Sequence, residues 1–165
     1  MSSEMTALAA QAVEALRSQH LTLSTAETDT GGGIGAALID VPGVSAVFRG
    51  GATVYANAPK QAILSVPAET LQAHGSVSEE AVLAMAAGAR EVFATDIAVA
   101  ESGITGPGGG GAERPVGLVW IACVGPGERR VLERHVWSGD RVGNKESTIR
   151  RSLELAIEAA EAAGS

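Results

Sequence analysis

Residues 21–39 read LTLSTAETDTGGGIGAALI, and this stretch decides the fold class. The apolar start, residues 21–25, predicts a short buried strand, and the apolar spacing over residues 34–39 predicts a helix. The loop between them, residues 25–33, ends in three consecutive glycines. A strand, a tight loop and a helix in this order are typical of α/β proteins, in which the loop directs backbone N–H groups at whatever lies above the sheet.

The same periodicities extend to both sides of this stretch. A helix is predicted over residues 4–18, and one or two strands are predicted over residues 47–56. Further predicted elements are a short helix over 59–64, a helix capped by Ser78, a central strand over 97–100, a hairpin over 116–124 and 130–137, and a last helix capped by Asn144. The order α-β-α-β-α-α-β-β-β-α predicts one domain over residues 1–165, a three-layer α/β/α sandwich with a mixed central sheet.

The composition limits the classes of function. The chain of 165 residues has 12 Lys and Arg against 19 Asp and Glu, a formal net charge of −7. Because non-specific nucleic-acid binding requires many basic residues, we expect no DNA or RNA partner. No apolar run approaches the ~18 residues that span a bilayer, and the start of the chain lacks a basic secretory region, so we expect a cytoplasmic protein without a membrane partner. The single cysteine and three scattered histidines lack metal-ligand spacing, and we expect neither a metal nor a cofactor.

A second glycine-rich segment, GPGGGG at residues 106–111, follows the predicted strand over 97–100. No helix follows it directly, as a dinucleotide-binding loop requires, and the chain contains no Gly-Lys-Ser/Thr sequence of a nucleotide P-loop. A flexible surface loop is the simpler interpretation. Its position beyond a buried strand favours a ligand site, because bare glycine backbone allows a phosphate to approach closely.

The sequence TDTGG at residues 28–32 places a hydroxyl at the start of a helix, beside unpaired N–H groups. An acyl-transfer enzyme needs this combination of a nucleophile and an oxyanion site. An ordinary helix N-cap is the competing interpretation, and on pattern alone it is the more common one, since Thr and Asp are favoured there for structural reasons.

Lysine usage adds a candidate base. Ten of the twelve basic residues are Arg, and the two lysines are Lys60 and Lys145. A desolvated amine can lose its proton, whereas a guanidinium cannot. The only tyrosine, Tyr55, lies five residues before Lys60 at a predicted strand-to-helix junction. Chance is the alternative explanation for the two lysines, and core packing is the alternative explanation for Tyr55 near Lys60.

Seven segments carry a more specific signal. They are TAE at 25–27 with TGG at 30–32, DVPGVS at 40–45, YANAPK at 55–60, HGSVSEE at 74–80, GITGPGG at 103–109, PVG at 115–117 and GDR at 139–141. In this order they resemble the C-terminal domain of the competence/damage-inducible CinA proteins, which also occurs alone as nicotinamide mononucleotide amidohydrolase. The resemblance runs from residue 8 to residue 160. It implies a three-layer fold, often dimeric, and metal-independent hydrolysis of the nicotinamide mononucleotide carboxamide to nicotinate mononucleotide and ammonia.

The resemblance also implies roles for individual residues. Thr28 stands at the family's nucleophilic serine, Lys60 is expected to take its proton, and Tyr55 is expected to relay or orient. The N–H groups of residues 30–32 are expected to hold the oxyanion. The loop over 103–111 is expected to bind the ribose-phosphate. The expected substrate-binding residues are Glu27, Thr30, Gly31, Gly32, Asn57, Ser102, Gly103, Gly106, Gly108, Gly109, Arg141 and Lys145.

The chain departs from the family pattern at several positions. Thr28 replaces serine, Asp29 replaces cysteine and Glu101 replaces an apolar residue, while Ser102 replaces threonine and Lys145 replaces arginine. An inward-pointing Asp29 carboxylate would oppose an oxyanion. Two alternatives therefore stay open: a catalytically impaired or repurposed nucleotide-binding or regulatory module, and a hydrolase for a different amide or nucleotide.

Overall fold

The computed structural model describes residues 2–164, apart from the side chain of Glu128. Helices and strands follow one another along these residues in an α/β pattern. They are α1 Ser3–Ser18, β1 Leu23–Glu27, α2 Gly33–Ile39, β2 Phe48–Thr53, α3 Asn57–Leu64, α4 Ala68–His74, α5 Glu79–Val92, β3 Ile97–Gly103, β4 Leu118–Val124, β5 Arg130–Val136 and α6 Arg141–Ala163. None of these helices has the length and apolar character needed to cross a membrane.

The five strands form one mixed sheet in the order β2-β1-β3-β4-β5. β1 pairs in parallel with both β2 and β3, whereas β4 runs antiparallel to β3 and to β5. All five residues of β1 are buried, and so are the first six of β3. Strands covered on both faces tend to be apolar, as in the run Ile97–Ala100, whereas β1 also buries Thr25 and Glu27, which are hydrogen-bonded to each other. The predicted mixed sheet is confirmed.

Helices cover the sheet on both faces and create two apolar cores. Leu16 of α1, Leu38 of α2 and Leu153 of α6 belong to the core on one face. α3, α4 and α5 cover the other face, with Leu64 and Met85 in their core. Alternate residues of β3 supply the two cores, because successive side chains of a strand point to opposite faces. The three-layer sandwich is confirmed.

The chain path leaves a crevice at the carboxyl ends of β1 and β3. The connection from β1 to β2 passes through α2 on one face, and the connection from β2 to β3 passes through α3, α4 and α5 on the other. In open α/β sheets, ligands bind where neighbouring connections diverge in this way. Residues 28–32 and 104–117 leave the sheet at this edge.

Two local predictions were wrong. The predicted order omits α4, which starts directly after Pro67, where the fixed φ of −60° prepares the chain for a helix. Asn144 is not the cap of the last helix: Asp140 is, and its Oδ1 accepts from Gly143 N at 2.8 Å. Asn144 lies inside the first turns of α6 and is buried. The predicted Ser78 cap is confirmed.

Candidate active site

The Glu27 carboxylate, at the carboxyl end of β1, closes the start of α2. Its Oε2 accepts from Ile34 N at 3.0 Å, and its Oε1 accepts from Gly35 N at 2.9 Å. The residue that precedes the helix, Gly32, has no side chain to cap it. A carboxylate is favoured at this end because the first N–H groups of a helix lack partners and carry partial positive charge. Glu27 therefore fixes the position of the loop over residues 28–32 relative to the start of α2.

A second carboxyl group, that of Glu101 on β3, holds the other side of the loop. Its Oε1 accepts from the backbone N–H groups of Thr28 and Thr30. The side chain is fully buried. Burial raises the pKa of Glu101 to about 7, although the hydrogen bonds from Thr28 and Thr30 oppose the shift. A group with this pKa changes its protonation state near neutral pH.

The Thr28 hydroxyl contacts the same glutamate. Its Oγ1 lies 3.3 Å from Glu101 Oε2 and 3.2 Å from the Glu101 carbonyl oxygen. Thr28 is 4% exposed. Within residues 2–164, no hydrogen bond joins Thr28 to Lys60. The hydroxyl predicted to be the nucleophile therefore has a carboxyl group as its immediate neighbour.

The Thr30 hydroxyl lies between the two carboxyl groups. Its Oγ1 is 2.6 Å from Glu27 Oε2 and 2.8 Å from Glu101 Oε1. A hydroxyl donates one proton, so both contacts are hydrogen bonds only when one of the carboxyl groups carries a proton. When both carboxyl groups are ionised, the Thr30 hydroxyl donates to one of them and is only in close contact with the other.

Lys60 is buried at the start of α3, with 1% of its surface exposed. Its Nζ donates to the carbonyl oxygens of Val54 and Tyr55, at 2.9 and 3.1 Å. Burial lowers the pKa of Lys60, and the nearby charges of Glu101 and Asp29 oppose that change. The predicted burial of this lysine is thus observed, and its hydrogen bonds tie it to the end of β2.

A cavity of about 210 Å³ lies at the same edge of the sheet, and its lining includes Asp29 and Tyr55, the neighbours of these buried groups, but not Thr28, Lys60 or Glu101. It is lined by Asp29, Tyr55, Gly103, Ile104, Thr105, Gly106, Gly108, Gly109 and Arg141. Asp29 Oδ2 accepts from Thr105 N at 2.9 Å, and Arg141 donates to the Gly106 carbonyl oxygen at 2.7 Å. Burial raises the pKa of Asp29. The cavity thus presents a carboxyl group, a guanidinium, an aromatic ring and bare glycine backbone.

The predicted site residues fall into three groups. Those that line the cavity are Tyr55, Gly103, Gly106, Gly108, Gly109 and Arg141. Glu27, Thr28, Thr30 and Lys60 are buried at the same end of the sheet. The others lie apart from the cavity lining: Asn57 is exposed, and the Ser102 hydroxyl donates to Ser76 O at 2.7 Å. Lys145 Nζ lies 3.9 Å from the position that a β-carbon on Gly31 would occupy.

The expected oxyanion donors are largely occupied within the loop. Thr30 N donates to Glu101, and Gly31 N donates to the Thr28 carbonyl oxygen. No acceptor within residues 2–164 takes the Gly32 N–H. Gly31 and Gly32 both have left-handed backbone, with φ of 66° and 90°. Glycine is favoured there because a β-carbon strains this conformation.

Residues 5–160 match the sequence profile of the CinA C-terminal domain. The chain belongs to this family. It is 42% identical over 139 residues to the nicotinamide-nucleotide amidohydrolase PncC of Escherichia coli strain K12, and the match covers 84% of each chain. It is 51% identical over 151 residues to a CinA-like protein of Parasynechococcus marenigrum strain WH8102, which is 89% of this chain and 35% of that protein.

Solved structures of the family have the same fold as this CinA domain. The crystal structure of the competence/damage inducible protein CihA from Agrobacterium tumefaciens superposes with a TM-score of 0.93 at 36% identity, covering 96% of this chain and 97% of the other. The chain spans only 28–35% of the length of several CinA-like relatives.

The sequence predictions omitted four residues that organise the CinA domain's site, among them Asp29, which lines the cavity. Glu101 was noted as a departure from the family but not as a site residue, although a carboxyl group in a buried apolar strand needs hydrogen-bond partners. Thr105 holds Asp29 through its backbone N–H. Asn144 Nδ2 donates to the Thr105 carbonyl oxygen at 3.1 Å, and its Oδ1 accepts from Gly139 N at 2.9 Å. A buried asparagine at the start of a helix is the signal for such a bridge.

Proposed function

We propose that this CinA domain hydrolyses the carboxamide of a nicotinamide nucleotide to a carboxylate and ammonia. The similarity to E. coli PncC carries the proposal, since it covers 84% of both chains. The cavity at the carboxyl ends of β1 and β3 supports it, because an open α/β sheet holds its ligands there.

The cavity lining suits a mononucleotide. Arg141 offers a guanidinium to the phosphate, and the exposed backbone of Gly108 and Gly109 allows close approach. The Asp29 carboxylate would accept hydrogen bonds from ribose hydroxyls. Tyr55 is 67% exposed and lines the cavity, so its ring is available to stack on the pyridine.

The chemistry proposed is acyl transfer to Thr28. Its Oγ1 attacks the carboxamide carbon, ammonia leaves, and water hydrolyses the resulting ester. The Gly32 N–H would donate to the developing oxyanion, a contribution of about 3–4 kcal/mol for one well-placed donor. Lys60 would act nearby as the base or as a stabilising cation, with Tyr55 orienting the amide.

Nucleotide binding without turnover is a second candidate function. The observation that favours it is the position of Thr28, whose side chain is buried against Glu101 while its neighbour Asp29 lines the cavity. In this case the ligand occupies the cavity and the hydroxyl is never reached.

Ammonia release from nicotinamide mononucleotide tests both candidates. We expect release by the wild type, loss of at least ~10²-fold in kcat for Thr28→Ala and retained activity for Thr28→Ser. Thr70→Ala on α4, outside this site, is the matched control. A shift of the melting temperature with nucleotide but no ammonia supports binding alone. Neither ammonia nor a shift contradicts both functions.

The family resemblance implies a dimer, and this stays a prediction. The cytoplasmic location expected from the composition also stays a prediction. Light scattering on the purified protein measures the oligomeric state, and fractionation of the host cell measures the location.

A further inference from the structure

The two oxygens of the Glu101 carboxyl group have different environments. Oε1 is surrounded by three groups: Thr28 N, Thr30 N at 3.1 Å and the Thr30 hydroxyl at 2.8 Å. Oε2 has one neighbour of this kind among the described residues, the Thr28 hydroxyl at 3.3 Å. Oε1 is therefore fixed by the loop, and Oε2 has lone pairs available to take a proton.

The charged groups around Glu101 are also defined. Asp29 and Lys60 act on it through their charges, and Glu27 is linked to it through the Thr30 hydroxyl. Asp29 in turn faces Arg141 across the cavity. A carboxyl group that is fully buried and also balanced by a buried lysine can exist in either protonation state near neutral pH.

We propose that Glu101 is the general base of this site and that its Oε2 takes the proton from Thr28 Oγ1. The proposal rests on the proposed function and replaces Lys60 in that role. As the proton moves to Oε2, Oγ1 forms a bond to the carboxamide carbon and the C=O electron pair moves to oxygen. When the C–N bond breaks, the protonated Glu101 returns that proton to the leaving nitrogen, which departs as ammonia.

The second half of the reaction uses the same group. Glu101 Oε2 takes a proton from water, the hydroxide adds to the acyl carbon, and the ester bond breaks as the proton passes to Thr28 Oγ1. The net change is amide plus water to carboxylic acid plus ammonia. Lys60 stays protonated and donates to the carbonyl oxygens of Val54 and Tyr55. Its positive charge stabilises the ionised Glu101.

Contact geometry favours Glu101 over Lys60. The glutamate and Thr28 Oγ1 are in direct contact, and no hydrogen bond links Lys60 to Thr28 within residues 2–164. The Lys60 amine instead donates to the carbonyl oxygens of Val54 and Tyr55, so its N–H groups point at the backbone and not at the Thr28 hydroxyl.

Glu101→Gln is the primary test, measured by ammonia release from nicotinamide mononucleotide. The amide retains an oxygen that can accept from Thr28 N and Thr30 N but cannot take a proton from the hydroxyl. We expect kcat to fall about 10²–10⁴-fold with KM largely unchanged, and we expect the acid-side decline of kcat near neutral pH to disappear. Thr70→Ala, outside this site, is the control and is expected to retain the wild-type kcat and pH profile.

A wild-type kcat and pH profile in Glu101→Gln would overturn the assignment and leave the proposed function intact. If Glu101→Gln loses the native melting transition, Glu101→Asp decides the question, because it keeps a carboxyl group but withdraws it from Oγ1. An unchanged kcat in Glu101→Asp also overturns the assignment, and a fall in kcat with an unchanged melting temperature supports it.

Labelling by a small alkyl fluorophosphonate separates this proposal from the choice of substrate. The reagent joins phosphorus to an activated hydroxyl oxygen and releases fluoride, and mass spectrometry locates the adduct. If Thr28 is labelled in the wild type but not in Glu101→Gln, and no ammonia is released, the result supports Glu101 as the general base and contradicts the proposed substrate. Absence of an adduct on wild-type Thr28 overturns the assignment of Glu101 as the general base.

Discussion

Two glycine-containing loops leave neighbouring strands at the same edge of the sheet and are held in different ways. In the first, residues 28–32, the polar side chains of Thr28 and Thr30 are buried against Glu27 and Glu101. In the second, residues 104–117, every residue from 107 to 114 is exposed. Its hydrogen bonds to the rest of the protein include Gly106 O accepting from Arg141 and Gly117 N donating to Ile104 O at its ends, and Arg114 donating to His74 O within the exposed stretch.

The glycines of the two loops serve different purposes. Gly31 and Gly32 adopt a left-handed backbone that turns the chain from β1 into α2. For Gly108 and Gly111, no atom lies within 4 Å of the position that a β-carbon would occupy. Packing therefore does not require glycine at these two positions. Gly106 and Gly109 of the second loop also have left-handed backbone, with φ of 88° and 86°, so only Gly108 and Gly111 of that loop are free of a structural requirement and open to a ligand.

Glu27→Gln is expected to have the largest effect on stability. All four contacts of the Glu27 carboxylate are with donor groups, so the amide NH₂ of glutamine would face at least one N–H or O–H donor. Because the site is buried, we expect the free energy of unfolding to fall by about 3–5 kcal/mol. Urea denaturation measures the change.

An exposed glutamate is the control for that experiment. Glu146 lies on the surface of α6, and Glu146→Gln is expected to change stability by less than about 0.5 kcal/mol. Equal effects at Glu27 and Glu146 would show that the first loop does not depend on its buried carboxylate.

The pH dependence of stability is the second test of this loop. The pKa of Glu101 is raised from its ordinary value of 4.5 to about 7 by burial, so the native state binds more protons than the unfolded chain between these values. The free energy of unfolding should therefore decrease as pH rises from about 4.5 to about 7, by about 3 kcal/mol.

Glu101→Gln removes that titration and should flatten the curve in this window. Asp29 contributes with the same sign, because burial raises its pKa too, and Asp29→Asn measures its share. Denaturation series between pH 4 and pH 8 give the three curves. Parallel curves for the wild type and Glu101→Gln would contradict a buried, titrating Glu101.

Hydrophobic periodicity was enough to predict the fold. The buried strand β3 and the long helices α1 and α6 each carry an apolar pattern that local sequence determines, and the strand predicted over residues 21–25 overlaps β1. The helix α4 was omitted because its seven residues bury only Leu71, too few for a recognisable period.

The site was predictable only where its partners are close in sequence. The loop over residues 28–32, with its glycines and hydroxyls, is visible in the sequence. The contact between Thr28 and Glu101 joins residues 73 positions apart and depends on the pairing of β1 with β3. Lys60 was identified from its rarity, but its hydrogen bonds to backbone carbonyls follow from the turn between β2 and α3.

The smallest expected effects separate the two loops most directly. Gly32→Ala places a β-carbon on backbone with φ of 90° and should lower stability by about 1–2 kcal/mol. Gly108→Ala meets no neighbouring atom and should change stability by less than about 0.5 kcal/mol. If the second loop binds the nucleotide, Gly108→Ala should instead weaken the nucleotide-induced rise in melting temperature. A large loss of stability in Gly108→Ala would mean that the second loop is as fixed as the first.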